Sequence, residues 1–184
     1  MKKLFTTFII LSIALTITSE VQAQQPINPM QEGVWIGTAG IGIGNTYGLA
    51  GGGSGFGLKF TAERGMWDVG VGVITLGGEF GFAHKNYNTP GFKWGYNNIN
   101  IGARSAYHFG WDVEGLDTYA GIPLGLSFGS YSGNYHHYYE RNTNVDLYLG
   151  FFIGASYFFN EHFGVNAEMG YSTTFFQIGI AYKF

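Results

Sequence analysis

The sequence predicts an all-β fold, an eight-stranded antiparallel up-and-down β-barrel preceded by a cleavable signal peptide. Three observations predict this fold. Beyond residue 29, large apolar side chains alternate with small or polar ones in successive segments, which is the period of a β-strand. The composition combines 31 glycines and 18% aromatic residues with 11% charged residues, well below the roughly 25% charge of ordinary soluble chains. Connections of short and long character alternate between the segments, as in a succession of hairpins.

The first 23 residues predict the signal peptide. A positive start at Lys2 and Lys3 precedes an apolar core at 4–17, and Ala23 completes a small-residue cleavage site. The alternative is a membrane anchor that stays attached. A spanning helix needs about 20 apolar residues, and this core is shorter. We therefore expect Sec-type export followed by removal of residues 1–23.

The remainder of the chain is expected to form one domain, with a short N-terminal segment at 24–32 and the barrel at 33–184. The formal net charge of −3 gives no electrostatic case for binding nucleic acid. The chain has no cysteine, which excludes disulfides, thiolate metal sites and cysteine nucleophiles. No cofactor is expected.

The first four predicted strands are alternating segments bounded by turn-like residues. The third begins WDVGVGVITL, and its alternation shifts near Gly77 and Gly78, which predicts a β-bulge there. In chain order these segments are 33–43 (GVWIGTAGIGI), 55–63 (GFGLKFTAE), 67–83 and 97–109 (NNINIGARSAYHF).

The last four strands include the clearest alternation of the chain, at 144–158. Pro123 lies inside the fifth segment, and because proline lacks the N–H of a ladder hydrogen bond it predicts a bulge or local break. In chain order these segments are 116–128 (LDTYAGIPLGLSF), 144–158, 163–172 (FGVNAEMGYS) and 175–184 (FFQIGIAYKF).

The connections predict a barrel with two unlike ends. A tight turn is expected around Thr173 and Thr174. Short turns on one side and longer loops on the other are typical of barrels that cross a membrane. The short connections are 64–66, 110–115 and 159–162, and the long ones are 44–54, 83–96 and 129–143.

The two faces of the strands predict which side points outward. One face is a band of Val, Ile, Leu and Phe, which suits lipid. The other is rich in glycine and carries isolated ionisable residues, as in the packed interior of a narrow tube. A soluble exported barrel with its apolar face inward is the alternative. Aromatic residues near strand ends fit two interfacial girdles, with Trp35, Trp67, Trp111, Phe163 and Phe184 on one rim and Phe82, Tyr96, Phe128, Tyr131 and Tyr171 on the other.

The terminal QIGIAYKF resembles the C-terminal strand signal of bacterial outer-membrane β-barrels. In this resemblance the residues that the barrel-assembly machinery reads are Ile178, Gly179, Ile180, Tyr182 and Phe184. DTYAGIPLGLSFG and FGVNAEMGYS are similar to strands of the small porin-family barrels that include outer-membrane protein X and the N-terminal barrel of outer-membrane protein A. The resemblance implies an integral bacterial outer-membrane protein, with membrane lipid and the export and assembly machineries as partners.

Inward-facing charges predict an ionic cluster in the lumen. Arg104 and Glu168 fall near the middle of inward faces, and a buried guanidinium needs a carboxylate or several acceptors. We expect Arg104 to pair with Glu168 or Glu79 across the lumen, with Lys59 as a further inward cation. The cluster either plugs the tube or is a polar interior without a gating role.

The loop at 129–143 predicts a contact surface. Its tyrosines offer apolar area together with a hydroxyl, although tyrosines at a membrane rim also fit girdle physics. His136 and His137, with Glu140 nearby, have the chemistry of metal ligands, but no metal site is expected. The contact residues are Tyr131, Tyr135, His136, His137, Tyr138 and Tyr139, and the ligand is not identified by the sequence.

An enzyme that modifies lipid A acyl chains is a further alternative. Such chemistry needs a serine, a histidine base and an orienting group at the lipid-facing rim. His108 is expected to face inward near the short turns. Ser130 and Ser132 lie near His136 in a single loop, which rarely preorganises a triad. We therefore expect a non-enzymatic barrel with a side-chain-filled lumen and a structural or surface-contact role.

Overall fold

The computed structural model describes residues 28–43, 54–89, 92–133 and 144–184. The predicted signal peptide lies outside the described residues, as does most of the first long loop. None of the described residues forms a helix with the length and apolarity of a membrane span.

The described residues form nine antiparallel strands that close into a barrel. Strands that follow one another in the chain pair, except that the sixth and seventh both pair with the fifth, and closure comes from the pairing of the first strand with the last. The sixth and seventh strands are two halves of one interrupted barrel strand, so the predicted eight-stranded up-and-down barrel is confirmed. The strands are β1 (Trp35–Ile43), β2 (Ser54–Val69), β3 (Gly72–Thr89), β4 (Phe92–Gly110), β5 (Leu116–Gly133), β6 (Asn144–Leu149), β7 (Phe151–Phe158), β8 (Phe163–Tyr171) and β9 (Phe176–Lys183).

The interruption between β6 and β7 lies opposite Pro123. Leu124 pairs with Leu149 and Gly121 pairs with Phe152, so the register is the same on both sides of the gap. Gly150 N donates to Pro123 O over 3.1 Å, but Pro123 has no N–H to donate in return. The predicted disturbance at Pro123 is therefore a break in the ladder. It falls in the partner strand, and β5 itself is continuous.

The bulge predicted at Gly77 and Gly78 is wrong, and so is the turn predicted at 64–66. Residues 67–69 belong to β2, and the reversal occurs at Gly70, whose φ of 67° is accessible to glycine. The irregularity lies at Met66, between Gly65 and Trp67. An extra residue there shifts the alternation, so the bulge in β2 resembled a turn followed by a new strand.

The loops predicted at 83–96 and 129–143 are partly strand. β3 continues to Thr89, β4 starts at Phe92, and β5 continues to Gly133. Asparagine, tyrosine and glycine made these segments look irregular. Cross-strand pairs nevertheless hold the ladder together, as where His84 Nδ1 lies 2.6 Å from Asn97 Oδ1.

The apolar face of the strands points outward, as predicted. Leu147 is 74% exposed, Phe151 63% and Ile153 52%, and equivalent residues of every strand form a continuous apolar outer wall. The alternate residues are buried, and most of the larger ones are polar or charged. The polar interior is where a functional site has to be sought.

Candidate functional site

The centre of the lumen holds a group of ion pairs. Lys59 on β2 is 1% exposed, and its Nζ lies 2.6 Å from Glu168 Oε1 and 3.2 Å from Glu79 Oε2. Nζ also donates to Ser172 Oγ over 2.9 Å. The strand alternation places these side chains in the lumen, and closure of the barrel brings β2 and β8 face to face across it.

Arg104 on β4 joins three carboxylates. Its Nε lies 2.5 Å from Glu63 Oε1, its Nη2 2.9 Å from Glu168 Oε2, and its Nη1 3.5 Å from Glu79 Oε2. The last distance is that of an ion pair without a hydrogen bond. The guanidinium carbon lies 3.8 Å from the centroid of the Phe152 ring, within range of a cation–π contact. All polar faces of the guanidinium are thus directed at acids.

We call Lys59, Glu63, Glu79, Arg104 and Glu168 the lumen cluster. The structure brings together the four residues expected from the sequence and adds Glu63. The alternation of β2 already placed Glu63 inward, but its contact with Arg104 depends on the register across β3, in which Glu63 pairs with Gly77 and Gly77 with Arg104. A Cβ at Gly77 would overlap the backbone of Ala62 and Glu63, so glycine is needed where β3 approaches Glu63.

Two cations face three acids, and hydroxyl groups add a hydrogen bond to each carboxylate. Glu79 Oε2 has ion pairs but no hydrogen-bond partner. Tyr148 Oη donates to Glu79 Oε1 over 2.8 Å, and Tyr119 Oη donates to Glu168 Oε2 over 3.1 Å. Thr75 Oγ1 donates to Glu63 Oε2 over 2.5 Å. Buried acids need such donors in addition to their ion pairs, so the cluster is a connected network.

His108 extends this network toward the short-turn end. Its Nδ1 lies 2.9 Å from Asp117 Oδ2 and its Nε2 lies 3.3 Å from Glu63 Oε2. The ring stacks on Tyr119 with 4.9 Å between centroids. A nucleophile–base pair would need a hydroxyl at one ring nitrogen, whereas both nitrogens here face carboxylates. His108 is therefore arranged to link two acids and not to activate a nucleophile.

The N-terminal segment closes the short-turn end of the lumen. Met30 is fully buried and packs against inward-facing residues near the ends of their strands, including Val73, Phe158 and Ala181. Backbone hydrogen bonds fix the segment to β2, because Gly33 N donates to Gly65 O over 2.9 Å. This closure was not predictable from the sequence, because one methionine in a short polar segment belongs to no periodic pattern.

The turn between β8 and β9 closes the opposite end. Ser172, Thr173 and Thr174 are buried because the turn folds into the lumen. Thr173 Oγ1 accepts a hydrogen bond from Asn100 Nδ2 over 3.1 Å, across the barrel on β4. Gly81 on β3 lies against Thr173, and a Cβ at this position would overlap it. The predicted tight turn is thus also an internal cap.

The lumen is therefore occupied in layers: Met30 and its apolar neighbours, the lumen cluster with His108, and the cap. Two shallow depressions of about 530 and 720 Å³ lie on the outer wall, and both are lined by Ala155 and Ala167. The arrangement favours a filled, hydrogen-bonded polar interior over a binding cavity.

The other residues expected to be functional belong to the predicted loop contact surface and to the C-terminal strand. Tyr131 lies in β5, while Tyr135, His136, His137, Tyr138 and Tyr139 are outside the described residues. At the C-terminus, Ile178 and Ile180 face outward and Gly179 lies between them. The Tyr182 ring contacts those of Phe163 and Phe184, each with 4.8 Å between centroids, and Phe184 N donates to Trp35 O over 3.0 Å.

Comparison with known proteins identifies the fold alone. No protein-family model matches the chain, and no curated protein matches it. Among solved structures, a de novo designed transmembrane β-barrel has a TM-score of 0.52 at 14% identity, covering 84% of this chain and 98% of the design. OprG of Pseudomonas aeruginosa has 0.48 at 11%, covering 84% and 97%. Ail, the attachment invasion locus protein of Yersinia pestis, has 0.45 at 17%, covering 84% and 100%.

Proposed function

We propose that the protein is a non-enzymatic, integral barrel of a bacterial outer membrane, with a filled lumen and a contact surface on its loop side. The observation that supports this proposal is that the outer wall is apolar while the interior is charged and hydrogen-bonded. A soluble ligand-binding barrel has the opposite arrangement, because it must present polar residues to water.

Aromatic residues at both rims support a membrane location. Trp35, Trp67 and Trp111 are all about half exposed at the short-turn rim. Tyr171 and Phe176 are exposed near the loop rim. Such rings favour the two interfaces of a bilayer, where an apolar body and a polar tip are both accommodated.

Part of the barrel wall rises above the rest on the loop side. β3 and β5 have 18 residues each and β4 has 19, whereas β8 has 9 and β9 has 8. Because about 9–11 residues cross the hydrocarbon layer, the longer strands extend into water as a sheet. At its end, β6 pairs with β5 alone among the described strands. An open strand edge favours pairing with another chain, so this sheet is the proposed contact surface.

The proposal includes the assembly route. A Sec-type signal at 1–23 would direct export, and the barrel-assembly machinery would read Ile178, Gly179, Ile180, Tyr182 and Phe184. The loop residues Tyr131, Tyr135, His136, His137, Tyr138 and Tyr139 would extend the contact surface for an external ligand.

The enzyme alternative receives no support from the described histidines. His108 faces the lumen between two acids, and His84 contacts Asn97 and the Phe56 ring. His162, at the short-turn end, has its Nδ1 2.9 Å from Lys183 O and stacks on Tyr182. We expect lipid A mass spectra of cells with and without the protein to be the same. A change in acyl composition would favour a lipid-modifying enzyme instead.

Cysteine labelling tests the membrane orientation, since the natural chain has no cysteine. Asp146 on β6 and Asp112 in the turn after β4 are both exposed, and they lie at opposite ends of the barrel. We expect Asp146→Cys to react with a membrane-impermeant maleimide on intact cells. Asp112→Cys should react only after the outer membrane is opened. Equal labelling of both on intact cells, or the reverse order, would refute the proposed orientation.

A further inference from the structure

Among the side chains that the structure describes, one on the outer wall is charged. Among the outward-facing side chains that the structure describes in the strands, Arg64 on β2 is the only Arg, Lys, Asp or Glu. The other charges of the strands lie in the lumen or at the ends of the barrel. A charge on a lipid-facing wall costs free energy that rises with depth, so this exception requires a partner.

Arg64 lies near the short-turn rim, among interfacial tryptophans. It pairs directly with Trp35 on β1 and with Leu76 on β3. Trp67 follows it on the same face of β2, and the turn at Gly70 ends the strand. At about 3.3 Å per residue and a tilt near 45°, Arg64 lies on the order of 10 Å inside that turn. A long arginine side chain can reach from this depth to the headgroup region.

Arg64 is not neutralised within the protein as described. No carboxylate of the described residues forms an ion pair with its guanidinium; the ion pairs of the described residues all lie in the lumen. Two exposed acids lie near Arg64, one through a backbone bridge and one along the chain. Glu32 forms a backbone bridge with Gly65, and Asp68 lies at the end of β2 next to the turn. Both side chains are exposed to solvent.

We propose that Arg64 binds the phosphate of a phospholipid in the leaflet at the short-turn side. This inference rests on the proposed membrane location. The guanidinium offers paired N–H donors that match a phosphate. Trp35 and Trp67 lie on the same face, where indole rings pack against the glycerol and upper acyl region. Leu76 continues the apolar surface on which the acyl chain lies. The site therefore selects for a lipid with a phosphate at the interface.

The test is a lipid titration of the purified full-length mature barrel in a maltoside detergent, which contains no phosphate. Bound lipid is counted by native mass spectrometry with phosphatidylglycerol and with diacylglycerol of the same acyl chains. We expect the natural chain to bind phosphatidylglycerol about tenfold more tightly than diacylglycerol, the size of effect expected for a charge-assisted pair. Arg64→Met should abolish this preference, and Arg64→Lys should keep part of it.

Leu126→Met is the matched control, because it changes an outward-facing residue of β5 outside the proposed lipid site and keeps the guanidinium. It should bind both lipids as the natural chain does. Equal phosphatidylglycerol binding by Arg64→Met and the natural chain would overturn the inference. So would an Arg64-dependent dimer, which would assign the residue to a second copy. If the barrel inserts into liposomes and shifts on heating in gels, the proposed function stands whatever the lipid result.

Discussion

Replacing Arg104 with Met is expected to lower the free energy of unfolding by about 3–5 kcal/mol. The substitution leaves Glu63, Glu79 and Glu168 in the lumen without their shared cation, and Lys59 reaches only two of them. Uncompensated buried charge is among the largest single-residue costs in a folded protein. Urea unfolding of the barrel reconstituted in liposomes, followed by tryptophan fluorescence, measures the change.

Arg64→Met is the matched control, because it makes the same chemical change on the opposite face of the wall. We expect its unfolding free energy to fall by no more than about 1.5 kcal/mol, the free energy of the tenfold lipid preference proposed for Arg64. Arg104→Lys should have an intermediate cost, because it keeps the charge but loses part of the contact geometry. Equal effects of the Met substitutions at 64 and 104 would show that the lumen cluster is not a special source of stability.

Replacing Gly81 with Ala is expected to destabilise the barrel by about 1–3 kcal/mol through overpacking. The new Cβ would overlap the Thr173 side chain, which is 1% exposed. The cap between β8 and β9 must then shift outward. The shift should weaken the Asn100–Thr173 hydrogen bond and raise ion conductance through planar bilayers from a near-zero baseline.

Gly78→Ala serves as the control for Gly81→Ala, three residues away on the outward face of the same strand. A Cβ at Gly78 meets no atom closer than 3.5 Å. Its unfolding free energy should be unchanged or raised by up to about 1 kcal/mol, because alanine restricts the unfolded chain. If both variants unfold alike and conductance stays constant, the buried turn does not act as a cap.

Much of the fold was predictable because a barrel imposes one rule on every strand. Alternation of apolar with small or polar residues located the strands and predicted which face of each points outward, including that of Leu147 and Phe151. Local departures from this alternation were harder to predict. Met66 inserts one residue into β2, and the resulting shift was assigned to Gly77 and Gly78 instead. A bulge changes the phase of the pattern without marking its own position.

The site was predictable to the extent that it depends on which residues face inward. Lys59, Glu79, Arg104 and Glu168 were expected in the lumen for that reason. Which of them touch depends on register and shear, which are properties of the closed barrel. The two closures depend on segments that leave the strand pattern. Met30 and Thr173 become internal through a change in chain direction, and alternation carries no information about such changes.

The most direct test of the lipid-facing outer wall is a nitroxide scan along β7 in liposomes, with single cysteines introduced from 151 to 158. Because the natural chain has no cysteine, each label reports one position. We expect oxygen accessibility to alternate, high at Phe151, Ile153 and Ala155 and low between them, while a water-soluble nickel chelate reaches none of these three. Maxima at the alternate positions, or general access by the chelate, would contradict the account.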